Sequence, residues 1–395
     1  MSAGLKQLRP AAVVYAAATL QGFSFTLVPS LATEFAKAPY RIDARAFGAL
    51  FVPLTLGAIV AAAATPLLAR KLGMVGILRL GVIANCIGLL ALIGSVAVPS
   101  QAAYGLLLAD TTALGVGFGL NFSAVNELAS TLAPNATRSV TIANVLTGLG
   151  TAITPLLVGS LAVRGLWPVW PAILAIAFVC VLILSYGWKA PHVTALSSTT
   201  RAPIPRALVL FGLAALLYAF CEGTFSSWAT TFAHHDRRFS LSTGEAALSG
   251  FWLALTATRV VTAFTTRVLR PQLAFVTFPI AIGIALLLLP LWSSATLLVI
   301  GFILGGIACS IVFPYAMSLA LAAMPDDKDR VAGVLVAALM TGEGLGTFAI
   351  GALRSNGNAS LAEIYRWSAL VAFALAIAAT LACRAAPESA VKSSR

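Results

Sequence analysis

The chain has 395 residues, of which 59% are hydrophobic and only 10% charged, and its formal net charge is +12. A soluble domain carries about 25% charged residues, so this chain has too few of them to cover a water-exposed globule. Its continuous apolar runs of about 20 residues predict membrane-spanning α-helices rather than the short alternating strands of a membrane barrel.

Basic residues lie mostly between the apolar runs, where they predict orientation and contact with anionic lipid head groups rather than nucleic acid. The five cysteines lie in or beside apolar runs without CxxC spacing, and we expect buried free thiols. The chain has no metal-ligand pattern and no Walker-type loop, so we expect no metal, no cofactor and no ATP-driven pump. The first apolar run lacks a cleavage site and is predicted to be the first span.

Twelve spans follow in chain order. The first six are predicted at Ala11–Leu31, Ala46–Leu68, Val75–Val98, Ala102–Asn126, Val140–Val163 and Trp167–Tyr186. The second six are predicted at Ala207–Phe232, Ala246–Leu269, Leu273–Leu291, Ala295–Ala322, Val331–Leu353 and Ala369–Cys383, the last with an alternative start near Leu361.

A polar stretch rich in proline, serine and threonine separates six spans from six. It predicts an N-terminal six-helix bundle over 1–188, a cytoplasmic linker over 189–206 and a C-terminal six-helix bundle over 207–395. Sixteen Lys and Arg residues fall in the predicted inner segments and eight in the outer ones, with Arg259 inside a span. This bias predicts both termini in the cytoplasm, and hence a multi-pass protein of the cell membrane, in a bacterium the inner membrane.

An internal repeat relates the two halves. Pro134–Arg138 is followed by Gly148–Thr151, and Pro325–Arg330 is followed by Gly344–Thr347, each between the fourth and fifth span of its half. Matches in the same order at equivalent places indicate duplication. Two parallel six-span halves are an architecture typical of secondary transporters.

The passage from the fourth to the fifth span resembles the major facilitator superfamily through Glu127, Pro134, Arg138, Gly148, Gly150, Pro155 and Gly159. The resemblance implies an all-α fold of two pseudo-symmetric six-helix bundles, a monomer, and two halves that rock around a midplane cavity lined by spans one, four, seven and ten. One departure is in the loop between spans two and three, where Arg70 stands at the family's acidic position while Gly73 is kept. The seventh span, Tyr218–Trp228, is similar to the sugar–proton symporter branch around fucose permease.

Four charged residues stand out because they lie away from the ends of the predicted spans: Glu222, Arg259, Glu343 and Asp110. A charge at the bilayer centre costs from about 2.5 to over 10 kcal/mol, so such residues usually mark a pathway or pair with one another. We predict Glu222 and Glu343 as proton-coupling and substrate-binding carboxyls, with protonated, hydrogen-bonded side chains as the alternative. Arg259 either binds a carboxylate, carbonyls or a substrate anion, or snorkels to the surface. Asp110 either lines a vestibule or caps a bend.

Uncharged candidates for substrate binding are Gln21, Asn121, Asn144 and Tyr315. By the resemblance, Gln21, Asn121, Glu222 and Tyr315 fall on cavity-lining spans. Single polar residues in spans also form interhelical hydrogen bonds, which is the competing interpretation.

The leading hypothesis is proton-coupled transport of a small polar organic solute by alternating access, with protons and the solute as partners. The alternative within transport is a proton-driven exporter of drugs or metabolites. A membrane-embedded enzyme would need a polar cluster, and the candidate for it is His234, His235 and Asp236. A channel would need a repeated polar filter, and the sequence shows none.

Overall fold

The computed structural model describes residues 3–132, 136–188, 205–264, 270–325, 327–355, 357 and 359–386. The helices of the first half of the chain are α1 (Ala3–Phe25), α2 (Leu27–Ser30), α3 (Ala32–Phe35), α4 (Ala44–Ala49), α5 (Phe51–Gly94), α6 (Ser100–Ser130), α7 (Ala136–Ala162) and α8 (Val169–Ser185). Those of the second half are α9 (Arg206–Thr231), α10 (Leu241–Phe264), α11 (Pro271–Leu288), α12 (Ala295–Cys309), α13 (Val312–Ala323), α14 (Lys328–Ser355) and α15 (Leu361–Ala385).

The described helices account for twelve membrane crossings. Nine stretches among the described residues are long and apolar enough to cross a membrane, and the shorter α8 is also apolar. One of the nine, Ala44–Ala97, contains α5, whose 44 residues would extend about 66 Å and exceed the ~30 Å hydrocarbon core. Gly73 breaks it into two membrane-length segments with φ 67° and ψ 168°. The nine stretches therefore contain ten crossings. Together with α8 and with α10, which lies at the predicted eighth span, they confirm the expected twelve spans.

The backbone conformation of Gly73 explains why a glycine stands in the loop between the second and third spans. A positive φ near 67° is costly for a residue with a Cβ atom, and glycine adopts it freely. The turn therefore requires glycine for its backbone conformation, whatever charge stands at Arg70.

Three predicted spans have ends or breaks that hydropathy did not reveal. The first is divided into α1, α2 and α3, and the tenth is divided into α12 and α13. The twelfth begins at Leu361, the alternative start, because Ser360 and Glu363 form a capping box that satisfies the first amides of α15.

The chain forms two compact units. The first comprises Met1–Asp43 and Leu50–Leu196, and the second comprises Ala44–Ala49 and Ser197–Arg395. The predicted linker lies outside the described residues except for 205–206, as do Pro134 and Asp326 of the internal repeat. The division at 189–206 therefore stays a prediction.

In the first unit, α1 and α7 cross closely through small residues and threonine hydroxyls. A Cβ atom on Gly22 would collide with the carbonyl of Thr147, so only glycine permits this approach. The Thr147 hydroxyl donates to the Ala18 carbonyl at 3.1 Å, and the Thr154 hydroxyl donates to that of Phe23 at 2.9 Å. Such hydroxyl-to-backbone bonds stabilise helix pairs where lipid offers no hydrogen-bond partner.

Two arginines of the first unit satisfy the end of α8. Arg79 donates to the hydroxyl of Ser185 at 3.0 Å and to its carbonyl, while Arg9 donates to the carbonyls of Leu184 at 2.7 Å and Tyr186. The last carbonyls of a helix have no partner within the helix, and the helix dipole favours a cation there. These arginines, predicted only as orientation signals, therefore also fasten α8 to its neighbours.

Candidate functional site

Three of the charged residues predicted in spans interact within the second unit. Glu222 lies in α9 with 9% of its surface exposed, and Arg259 of α10 and Glu343 of α14 both interact with it electrostatically. The side chains of Arg259 and Glu343 are half-buried. We call Glu222, Arg259 and Glu343 the charged cluster, and three different helices contribute to it.

Glycines bring the two carboxyls of the cluster together. A Cβ atom on Gly342 would collide with the backbone oxygen of Leu216, so the backbones of α14 and α9 approach closely at this point. About two turns further along α9, Gly223 leaves room for the Glu343 side chain, whose Cγ lies 3.4 Å from the ideal Cβ position of Gly223. The glycine-rich sequence around Glu343 thus explains how it lies next to the residue that follows Glu222.

Arg259 binds the backbone at a break in the tenth span. Its Nε donates to the carbonyl oxygen of Ser310 at 2.8 Å, and Ser310 lies between Cys309, where α12 ends, and Val312, where α13 begins. A helix end exposes carbonyls that have no intrahelical partner, and a guanidinium can satisfy them. Of the predicted options, the structure gives Arg259 a carbonyl partner together with an electrostatic interaction with Glu222.

Near Glu222 in α9, Tyr218 forms a ring contact with α13. Tyr218 lies one turn before Glu222 in α9 and is fully buried, and among the described residues its hydroxyl has no hydrogen-bond partner. The Tyr218 ring stacks on Phe313 of α13, with a centroid distance of 6.3 Å and an interplanar angle of 17°. The sequence alone did not link either residue to Glu222. The four-residue spacing of Tyr218 and Glu222 is the signal that would have linked them.

Tyr315 lies in α13 and is half-buried. Among the described residues, no hydrogen bond or ring contact joins its side chain to the charged cluster. Its predicted role in substrate binding stays a prediction.

In the first unit, Gln21 and Asn121 belong to a buried amide network. Gln21 Oε1 accepts from Asn85 Nδ2 at 3.0 Å and from Asn121 Nδ2 at 3.2 Å, and all three residues are at most 4% exposed. Gly81 and Gly117 make room for it, since a Cβ atom on either would strike Asn121 or Asn85. In this structure the amides join α1, α5 and α6, as interhelical hydrogen bonds do.

Asn85 is the member of the network that sequence reasoning missed. It lies four residues after Gly81, and Asn121 lies four residues after Gly117, so each amide shares a helix face with a glycine. A paired glycine–asparagine pattern in consecutive spans is the signal that would have found it.

Asn144 lies apart from the other predicted polar residues in the bonds that the structure describes. It is exposed on α7, and its Nδ2 donates to Asn126 Oδ1 at 3.1 Å and to the Val140 carbonyl at 3.0 Å. The structure does not bring it into the amide network.

The polar group His234, His235 and Asp236 has structural partners. Arg354 donates to both carboxylate oxygens of Asp236, at 2.5 and 2.9 Å, and the Leu361 amide donates to the same carboxylate at 3.2 Å. His234 Nδ1 lies 2.9 Å from the Phe239 carbonyl oxygen. Over the part of the chain that the structure describes, no three His, Cys, Asp or Glu side chains are arranged to hold a metal ion.

Comparison of the sequence alone finds no relative, because no protein-family model matches the chain and no curated protein is significantly similar. Solved structures do match. The D-xylose–proton symporter matches with a TM-score of 0.74 at 15% identity, covering 97% of this chain and 98% of that one. The nucleoside transporter NupG matches with a TM-score of 0.72 at 15% identity, covering 95% of this chain and 99% of that one.

A third match is the E. coli fucose:proton symporter FucP, with a TM-score of 0.63 at 16% identity, covering 96% of this chain and 98% of that one. The chain has the major facilitator fold. Each match covers nearly the whole length of both chains, so the similarity extends over the complete fold. The predicted all-α fold of twelve helices and the resemblance to this superfamily are thereby confirmed, and the chain is a multi-pass membrane protein.

Proposed function

We propose that this protein is a secondary transporter that moves a small polar organic solute across the membrane by alternating access, driven by the proton gradient. The observation that carries the proposal is the charged cluster, in which the buried carboxyl of Glu222 interacts with Arg259 and Glu343. Intramembrane ionisable residues with such partners are typical of proton and substrate pathways.

The major facilitator fold supports the same proposal. The solved structures that match are named for a nucleoside, fucose and D-xylose, and two of those names include proton symport. These solutes are small and rich in hydroxyl groups, and we extend that class to this chain. Gln21, Asn121, Asn144 and Tyr315 stay the predicted contacts for such a solute.

In the proposed cycle Glu222 is the residue that binds and releases the proton. An ionised carboxyl in the membrane needs a compensating charge, and Arg259 is positioned to supply it. Loss of the proton would draw the guanidinium towards Glu222 and away from the Ser310 carbonyl. Glu343, beside Gly223, lies close enough for its charge state to depend on that of Glu222.

The test begins with the solute. Purified protein is screened by thermal unfolding against nucleosides, L-fucose, D-xylose and other polar solutes, because a ligand that binds the folded state raises its apparent stability. The stabilising solute is then offered to proteoliposomes with an imposed proton gradient. We expect the wild type to accumulate it and a protonophore to abolish accumulation. Export from the cell would instead appear as accumulation in everted vesicles.

Glu222→Gln is the decisive variant. Because glutamine cannot ionise, we expect gradient-driven accumulation to be lost completely while exchange of labelled for unlabelled solute continues. Asp327→Asn, which alters an ion pair between Asp327, just before α14, and Arg330 in the first turn of α14, is the matched control and should accumulate as the wild type does. Full gradient-driven accumulation by Glu222→Gln would refute the assignment of Glu222.

A further inference from the structure

Asp110 of α6 is a buried carboxyl outside the charged cluster. It lies ten residues after Ser100, the first residue of α6, which places it about 15 Å along the helix and deep in the membrane. Its relative exposure is 0%, and among the described residues neither carboxyl oxygen has a hydrogen-bond partner. It therefore neither lines a vestibule nor caps a bend, the two predicted roles.

The residues around Asp110 offer it no donor. Gly88 of α5 faces it, with the ideal Cβ position of Gly88 lying 3.2 Å from Asp110 Oδ1. The neighbouring hydroxyls are engaged, since Thr111 donates to the Leu107 carbonyl at 3.0 Å and Thr112 to that of Leu108 at 2.6 Å. Gly88 itself has no side chain that could donate to the Asp110 carboxyl.

No charged group compensates Asp110 either. The helices packed against α6 are α5, α1 and α7, together with the short turn at Ser95–Ala97. Their titratable or charged residues with described side chains are Arg9, Tyr15, Arg70, Lys71, Arg79, Cys86 and Arg138. None of these interacts electrostatically with Asp110.

These surroundings determine the charge state of Asp110 in this conformation. An ionised carboxyl in hydrocarbon without a partner is far less stable than the neutral acid, so Asp110 holds its proton here. Even the neutral acid is unfavourable without a hydrogen bond, and it joins no helices, unlike the amides of Asn85 and Asn121. A buried carboxyl that makes no hydrogen bond in this state is best explained by another state.

We propose that Asp110 is a proton-binding site of the first unit, separate from the charged cluster, which is loaded in this conformation and releases its proton to water in another. The inference rests on the proposed function, because a transport cycle supplies the second conformation. Gly88 gives the carboxyl room when α5 and α6 shift, and water that enters between them accepts the proton and hydrates the carboxylate. The carboxyl oxygen–hydrogen bond breaks and hydronium forms, with no other reactant.

The test uses the proton itself as the probe. Infrared difference spectra of the full chain in lipid are recorded as the pH is raised stepwise, in the carbonyl-stretch region of protonated carboxylic acids. We expect a band that disappears reversibly at high pH and is absent from Asp110→Asn. Glu34→Gln, at an exposed ion pair with Lys37 in the same unit, should leave the band unchanged.

Isotope labelling keeps the test decisive if Asp110→Asn does not fold. Carbon-13 labelled aspartate shifts aspartate bands and leaves glutamate bands in place, and every other aspartate of the sequence lies outside the predicted spans. A titrating band that shifts with this label supports the proposal. A labelled band that stays protonated at every pH, or no such band, overturns it.

The same spectra separate this inference from the proposed function. If the Glu222 band titrates and wild-type accumulation depends on the proton gradient, absence of a titrating Asp110 band refutes the inference alone. If the wild type shows no gradient-driven accumulation, the proposed function fails, whatever Asp110 does.

Discussion

At the scale of the residue, Arg259 is the group whose environment matters most for the proposed cycle. A guanidinium stays charged at any physiological pH, so inside a helix bundle it needs acceptors at all times. The structure supplies one through the Ser310 carbonyl and a counter-charge through Glu222. Arg259 therefore has a hydrogen-bond acceptor when Glu222 is protonated and a counter-charge when Glu222 is ionised.

We predict that Arg259→Gln makes the release of a proton from Glu222 less favourable. The charge of Arg259 favours the ionised form of Glu222, so its removal should lower the population of ionised Glu222. Gradient-driven accumulation should fall accordingly, while exchange under conditions that keep Glu222 protonated should persist. The measurement is the ratio of accumulation to exchange in proteoliposomes.

Arg259→Lys is the matched control, because it keeps the positive charge and loses the geometry of the guanidinium. It should retain part of the accumulation that Arg259→Gln loses. Equal loss in both variants would indicate that the Ser310 hydrogen bond matters and the charge does not.

At the scale of the element, glycines decide how closely α9 and α14 approach. Gly342 lies against the backbone of Leu216 and Gly346 against Phe220, and a hydroxyl bond of 3.0 Å from Thr347 to Ser227 continues the contact. In a membrane, helix pairs are held by such close packing rather than by the hydrophobic effect. This contact is what brings Glu343 next to Glu222.

We predict that Gly342→Ala destabilises the second unit, because the added methyl group would strike the Leu216 carbonyl oxygen. Overpacking of this kind costs about 1 to 3 kcal/mol. Gly333→Ala on the same helix has nothing within 4 Å of the added Cβ atom and should be neutral or slightly stabilising. The thermal midpoint of unfolding in detergent distinguishes them, and equal midpoints would contradict the close approach.

The broken helices also belong to this scale. Hydropathy predicts the tenth span as one run over Ala295–Ala322, whereas the structure ends α12 at Cys309 and begins α13 at Val312. Apolar residues continue across the break, so the pattern of hydrophobicity holds no sign of it. The Ser310 carbonyl at this break accepts a hydrogen bond from Arg259 of another helix, which is a tertiary feature.

At the scale of the whole molecule, the number of crossings determines where the termini lie. We predict from an even number of crossings that both termini lie on one side of the membrane, whereas an odd number would place them on opposite sides. The bias of basic residues predicts that this side is the cytoplasm.

We predict that a fluorescent reporter is active at both termini and that alkaline phosphatase inserted at Gly165 is active. Gly165 lies in the exposed turn between α7 and α8, and has nothing within 4 Å of its ideal Cβ position. Phosphatase fused to the C-terminus should be inactive. Active phosphatase there would show an odd number of crossings.

Much of the architecture could be predicted from the sequence. An apolar run of about 20 residues is stable as a helix across the membrane, so hydropathy alone determined the twelve spans, and the half-to-half repeat indicated the duplication. The same physics singled out Glu222, Arg259, Glu343 and Asp110, because a charge in such a run is too costly to be incidental.

The tertiary structure decided which of these residues share surroundings. Glu222, Arg259 and Glu343 lie on three helices whose crossings depend on glycine contacts far apart in sequence, and Asn85 joins Gln21 and Asn121 only because α5 packs against α1 and α6. Asp110 has the same chemistry as Glu222, yet its carboxyl oxygens have no hydrogen-bond partner among the described residues. The sequence determined the cost of each buried charge, and only the packing of helices decided what compensates it, because compensation depends on distances between residues that the chain order does not specify.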